Sequence, residues 1–387
     1  MTAGRHRGTP PPALTVSELS RYRRHLSLPE VGVAGQERLK ASSIAIVGVG
    51  GLGCPSALYL AAAGIGRLGL IDDDRVEESN LQRQVLFGTS DVGRPKTEAA
   101  AERLMDLNPH VGLDRHDVRL TAENADELLE PYDLTIDGSD NFATRYVTSD
   151  TAVRLLRPVV AGSLERFHAQ VAVFHPPSGP CYRCLFPDPP PPGLAPSCAE
   201  AGVLGVLPGL VGIIQASEAI KLLLGVGQPL TGRLLTIDLL SMRTREFSVP
   251  KDESCPACGS QRGVAPLPVP EAAACVGADG GDADAITATR LRARLERGDP
   301  IALVDVRMPW EWSRGHLDDA TLIPLTELDA RLDELDEGRE TVVYCAVGVR
   351  SAHAVRMMRA AGFSRARNLT GGIQAWLAEI GPPLATD

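Results

Sequence analysis

Four glycines, a short series of charged residues and two pairs of cysteines have the types and spacings that chemistry needs in this 387-residue sequence. The stretch IAIVGVGGLG, residues 44–53, is an apolar run that breaks into G-x-G-x-x-G. Such a run reads as strand, tight turn and helix, with the helix N-terminus facing an anion. Gly48 allows the turn, Gly50 and Gly51 let backbone N–H groups approach phosphate oxygens, and Gly53 lets helix and strand pack closely. Asp72 ends the next apolar run, about twenty residues on, where a carboxylate meets ribose hydroxyls. This much fits NAD, FAD or ATP, and by itself favours a dehydrogenase.

The next residues shift the balance. ESNLQRQ supplies Asn80 and Arg83, and VGRPK places Lys96 at a helix start. Hydride transfer needs no such cations, whereas a triphosphate does, because they neutralise the β- and γ-phosphates and the departing pyrophosphate. Asp140, in IDGSDN at the end of another strand, is placed to hold Mg²⁺ across those phosphates.

The eight cysteines sort by neighbourhood. CYRC (Cys181, Cys184) and CPAC (Cys255, Cys258) are chelating pairs that together predict a closed, structural four-sulfur Zn²⁺ site, ahead of redox pairs or uncoordinated thiols. Cys198, in PSCAEAG after a proline-rich loop, is a secondary candidate nucleophile, and Cys54 is a small packing residue. Cys275 has no assigned role. Cys345 ends the strand TVVY and opens the loop CAVGVR before a helix expected from Ser351. Loop N–H groups and the helix N-terminus would stabilise a thiolate or a terminal persulfide, and Arg350 adds a cation. A cysteine phosphatase needs five residues between Cys and Arg to encircle phosphate; here there are four, a cradle suited to one sulfur atom.

Residues 43–250 alternate apolar β-rich runs with helical patterns, which predicts a mostly parallel sheet covered by helices. FPDPPPPGLAPS, residues 186–197, admits neither helix nor central strand. Residues 263–284 have linker composition, and a second α/β pattern follows. The expected organisation is a disordered tail (1–19), a Rossmann-like domain (20–262), a linker (263–284) and a small α/β domain (285–387). A formal net charge of -10 argues against nucleic acid as partner. The longest apolar run, Ala201 to Ile214, is interrupted by Pro208 and reads as a buried helix, so no membrane is expected. With no secretory signal and cysteines read as ligands and nucleophiles, the expectation is cytoplasmic.

RYRRHLSLPEVGVAGQERL, GVGGLG, DDDRVEESNLQRQ, VGRPK and DGSDNFATR together closely resemble the ubiquitin-activating-like adenylyltransferases, in the branch that activates bacterial sulfur-carrier proteins for molybdopterin or thiamine synthesis. The resemblance covers about residues 20–260. It implies that Gly50, Asp72, Asn80, Arg83, Lys96 and Asp140 bind ATP and Mg²⁺, and that Arg24 reaches across a homodimer into the neighbour's phosphates. It also implies that Cys198 can form a thioester or acyl-disulfide link to the carrier.

LVDVR, EWSRGHLDDATLIPL, VVYCAVGVRSAHA and LTGGIQAW resemble the rhodanese sulfurtransferases over about residues 285–380. That implies Cys345 as persulfide carrier and the Asp305, Arg307, Glu311, His316 region as its support. Ala346 stands where a basic residue is common and LDDA replaces Ile-Pro-Gly-Ala, so a protein persulfide stands beside thiosulfate as the expected donor. The combined expectation is adenylation of a Gly-Gly-terminated sulfur carrier followed by sulfur transfer to give its thiocarboxylate. The alternatives are a non-catalytic docking protein, an NAD(P)-dependent oxidoreductase fused to a rhodanese, and transfer of the carrier onto another protein through Cys198.

Overall fold

The computed structural model describes residues 11–176, 178–188, 202–260 and 284–381. Cys198, Cys275 and most of the expected linker lie outside them. The described residues form two compact units, one on each side of that linker.

The first unit is built on eight strands: β1 (Ser43–Val47), β2 (Arg67–Ile71), β3 (Gly112–His116), β4 (Leu134–Asp137), β5 (Val159–Glu165), β6 (His168–Phe174), β7 (Arg233–Asp238) and β8 (Arg243–Ser248). Their order is β3-β2-β1-β4-β5-β6-β7-β8. The pairs from β3 to β5 are parallel, and β6, β7 and β8 add antiparallel ladders. β1 is buried along its whole length, which explains its unbroken apolar run: a central parallel strand faces helices on both sides. Ile44, Ile46, Leu68, Leu70 and Ile136 pack against Leu60, Leu104, Leu207 and Val211 from the covering helices. Each such side chain contributes about 1.5–3 kcal/mol by leaving water.

The helix Val206–Leu224 is apolar and long enough to cross a membrane by length and composition, but half of it is buried inside this unit. Its polar residues explain the placement. Gln215 donates to the Asp137 and Val160 carbonyls, and Glu218 accepts from Leu230 N.

The expected N-terminal tail is corrected at its end. Thr15 caps a helix, Val16–Arg21, through a capping box with Glu18. Glu18 is buried and pairs with Lys40 at 2.8 Å, so residues 15–19 belong to the folded unit.

The second unit has five parallel strands: β9 (Ala285–Ile286), β10 (Ile301–Asp305), β11 (Ala320–Leu322), β12 (Glu340–Tyr344) and β13 (Ala366–Leu369), in the order β11-β10-β12-β13-β9. β12 is central and wholly buried. The helix after it spans Val349–Ala360, two residues earlier than expected, because Gly348 takes φ 93° and turns the chain directly into it. Arg350 therefore stands in the first helical turn.

Candidate nucleotide and sulfur sites

Strand β1 has β2 on one side and β4 on the other, so the chain leaves it at a topological switch point where a crevice opens. Gly48 takes φ +85°, and a Cβ there would stand 2.9 Å from the Gly138 oxygen. At Gly53 a Cβ would fall 1.9 Å from the Gly48 oxygen. Only glycine lets the turn after β1, the loop after β4 and the helix Gly53–Ala63 meet this closely.

Charged side chains converge on that turn. Asp72 Oδ2 accepts the Val49 N–H at 2.7 Å, and Oδ1 accepts that of Asp74 at 2.9 Å. Burial raises the Asp72 pKa against the pull of Lys96. Lys96 opens the helix Lys96–Leu107 and is itself buried, with Nζ 2.7 Å from Asp74 Oδ2. Burial disfavours its charge, but Asp72, Asp74 and Asp140 together outweigh that and hold its pKa above the usual lysine value. Asp140 is exposed beyond β4 and adds to the same field. Asn80, buried, accepts from Glu77 N and shapes the turn before Arg83. The Arg83 Cδ lies 3.7 Å from where a Cβ on Gly51 would be, and Arg83 donates to the Ser79 carbonyl.

Gln84 escapes the sequence reading. It is 4% exposed, its Nε2 would lie 3.7 Å from a Cβ on Gly50, and its Oε1 is buried without a hydrogen-bond partner among the described residues. Its amide nitrogen, which stands beside the bare glycine loop, can donate to a polar ligand held there. Its one signal in sequence is its position next to Arg83.

Arg24 is not brought to this cluster within one chain. It is exposed on Arg23–Leu26, and the neighbouring Tyr22 packs against Gly64, at the far end of the helix that starts at Gly53.

The four paired cysteines do meet. Their Sγ atoms all lie within 4.8 Å of one another, with Cys181–Cys255 at 3.6 Å, Cys184–Cys258 at 3.4 Å and Cys181–Cys184 at 3.9 Å. Tetrahedral Zn–S bonds of about 2.3 Å require S···S separations of about 3.8 Å, so the set fits zinc. Cys54 is fully buried, its thiol pushed up to about 12 by burial, in keeping with a packing role.

In the second unit Cys345 follows β12 at the centre of the sheet. Its Sγ accepts the Gly348 N–H at 3.1 Å and the Ser351 hydroxyl at 3.5 Å. The loop backbone is held from behind. Cys345 O accepts Ile373 N at 2.8 Å and Ala346 O accepts Gln374 N at 3.1 Å, so the GGIQ stretch is a clamp on the cysteine loop. Gly372 takes φ +59°, and a Cβ there would stand 2.4 Å from Cys345 O.

Arg350 is turned to a different partner. Its two Nη atoms donate to the two Glu311 oxygens, each at 2.7 Å. Burial disfavours the Glu311 carboxylate, but Arg350 and the Met308 N–H outweigh it and keep its pKa below the ordinary value. Asp305 and Arg307 form a second, buried pair behind the loop, and His316 stacks on Trp312 at 3.5 Å. Ser351 was not singled out from sequence, since a serine after an arginine on a helix carries no distinct pattern.

A nucleotide-type glycine turn on a mixed sheet and a cysteine loop on a small parallel sheet define a two-unit enzyme-like architecture. The chain belongs to the ThiF family, whose pattern matches residues 22–257, and carries a rhodanese-like domain at residues 287–379. It is 44% identical over 384 residues to the probable adenylyltransferase/sulfurtransferase MoeZ of Mycobacterium tuberculosis, covering 97% of each chain. It is 56% identical over 252 residues to the sulfur carrier protein adenylyltransferase of Thermus thermophilus, covering 64% of this chain and 93% of that one. Among solved structures, E. coli MccB with ATP shares the fold, with a TM-score of 0.55, 23% identity and coverage of 62% and 74% of the two chains.

Proposed function

We propose that this chain adenylates the C-terminal carboxylate of a small Gly-Gly-terminated sulfur-carrier protein and then converts the adenylate to a thiocarboxylate with sulfur carried on Cys345. The observation that carries the first half is the buried, charged Lys96 held with Asp72 beside the Gly48 turn. The near-full-length likeness to an adenylyltransferase/sulfurtransferase supports the pairing of the two activities.

In the first step the carrier carboxylate attacks the α-phosphorus of ATP. A P–O bond forms, and pyrophosphate leaves with the electron pair of the broken bond. No base is needed for an ionised carboxylate. The chain's part is position and charge: Gly48, Gly50, Gly51 and Gly53 admit the phosphates, Asp72 takes the ribose, and Asn80, Arg83, Gln84 and Lys96 face the polyphosphate. Asp140 would hold Mg²⁺, which when bound neutralises phosphate charge. Arg24 would reach the site of a second copy in a homodimer.

In the second step the terminal sulfur of the Cys345 persulfide attacks the acyl carbonyl and AMP leaves, giving an acyl disulfide. A reducing thiol then releases the thiocarboxylate. Covalent attachment of the two units through residues 261–283 raises the effective concentration of persulfide over adenylate. Cys181, Cys184, Cys255 and Cys258 would hold zinc as a structural clamp. Free thiols at all six described cysteines suit the reducing cytoplasm.

ATP–pyrophosphate exchange with a panel of Gly-Gly-terminated carriers tests the first half. Exchange with one carrier names the partner; absence of ATP binding overturns the reading and restores the dinucleotide alternative. Thiocarboxylate formation by C198A and C345A tests the second. Loss with C345A alone supports it, and loss with C198A alone favours transfer through Cys198.

A further inference from the structure

We propose that the second unit carries an anion site at the end of its sheet opposite Cys345, built on Arg294, Arg339 and Arg365, and that this site takes a phosphate group, free or as a small phosphate monoester. The site is separate from the sulfur chemistry of Cys345.

Strand β12 runs from Glu340 to Tyr344, and Cys345 follows it directly. At about 3.3 Å per residue, Glu340 and Cys345 stand roughly 15 Å apart along the strand. At the Glu340 end a cavity of 350 Å³ opens, lined by Arg294, Arg339, Arg365, Glu340 and Asp336 among others. Small-molecule sites span about 300–1,000 Å³, so this one has room for a phosphate group and a small body but not for a folded partner. Its wall is charged rather than apolar, so the ligand it suits is charged as well.

The charges in this wall are unequal. Glu340 is buried, and three guanidiniums share its carboxylate. Arg294 donates to both oxygens at 2.6 and 2.8 Å, Arg367 Nε lies 3.0 Å away and Arg365 Nη2 3.8 Å. Hydrogen bonding from Arg294, with the fields of Arg367 and Arg365, outweighs burial and holds the Glu340 carboxyl below the usual carboxylate range. Glu340 is therefore ionised, and its single charge is set against three cations. Asp299 adds a second carboxylate, but it is itself shared between Arg294 at 2.7 Å and Arg297 at 3.3 Å. Arg339 donates to the Pro300 and Ile301 carbonyls at 3.4 and 2.9 Å, and Arg365 to the Gly338 carbonyl at 3.2 Å. Carbonyls fix a guanidinium in place without cancelling its charge. Asp336 opposes an anion: it is exposed in the wall, with Oδ1 accepting the Gly338 N–H at 2.9 Å. Even with Asp336 counted, guanidiniums outnumber carboxylates here, in a chain whose formal net charge is -10. Planar guanidinium forks held in place match phosphate oxygens in pairs.

The test is calorimetric titration of the full-length protein with inorganic phosphate and with phenyl phosphate at constant ionic strength. Binding is expected with a Kd of about 1 mM. Tighter binding of the ester assigns the site to a phosphorylated small molecule, and equal binding assigns it to free phosphate. Arg339→Gln and Arg365→Gln are each expected to weaken binding at least about fivefold, and Asp336→Asn to tighten it about two- to threefold. Lys96→Met, which alters the glycine-turn site of the first unit, is expected to leave this binding in place and so separates it from phosphate held there. Asp336 is exposed, so its variant decides the matter if an arginine variant does not fold. Absence of binding up to about 20 mM phosphate overturns the proposal. Binding that Lys96→Met abolishes, and that the Arg339, Arg365 and Asp336 variants leave unmoved, overturns it as well.

Discussion

Lys96 Nζ stands 2.7 Å from the Asp74 carboxylate, with the lysine almost wholly buried and the aspartate largely open to water. A buried ammonium is tolerated because three carboxylates share its field. An incoming polyphosphate can replace the exposed Asp74 as its partner without moving the lysine. Lys96→Met removes the buried ammonium fixed at this point, so pyrophosphate exchange is expected to fall about 10²- to 10³-fold. Exchange within about twofold of wild type would show that Lys96 serves the resting fold only.

Gly372→Ala separates the two activities. A Cβ at 2.4 Å from Cys345 O, at φ +59°, forces the clamp off the cysteine loop. Persulfide loading of Cys345 is expected to drop at least about tenfold, with pyrophosphate exchange unchanged. Normal loading would mean that the loop keeps its shape without the clamp.

Zinc is expected at one ion per chain, measured by elemental analysis. Cys255→Ser leaves three sulfurs and should lower both the zinc content and the Tm, the latter by roughly 5 °C or more. A fully stable, zinc-free wild type would sink the clamp.

Glu18 predicts a pH signature. Burial pushes its carboxyl up, but Lys40 and Thr15 more than offset this and bring it from 4.5 down to about 2. A carboxylate lowered in the folded state stabilises above its unfolded pKa, and that contribution is lost as pH falls through the folded value. The Tm difference between wild type and Glu18→Gln should therefore be full at neutral pH and shrink from about pH 4.5 toward pH 2. A constant difference would mean that packing, not charge, holds the helix Val16–Arg21.

Much of this protein was legible in local residue order. The glycine turn, Asp72, Lys96 and the two CxxC pairs each depend on chemistry that a short stretch carries with it: backbone freedom, a charge at a strand end, two thiols on one turn. The strands β1, β2, β4, β10 and β12 were legible for the same reason, since central parallel strands are unbroken apolar runs. The strand β8 was not, because it is exposed along its whole length and its residues RTREFS show no buried face. The end of the expected tail differs because Thr15 and Glu18 are polar; the burial of Glu18 depends on Lys40, which only folding brings near.

Sequence alone thus determined which groups this chain has available, because residue type and spacing along a strand, turn or helix are local properties. Which groups face one another was decided by tertiary structure. Glu311 and Arg350, 39 positions apart, become a neutral pair, and Gln84 is brought with its amide nitrogen beside Gly50 and its oxygen buried without a partner among the described residues. Such pairings depend on the packing of distant segments, and so does the charge that a site has left to offer a ligand.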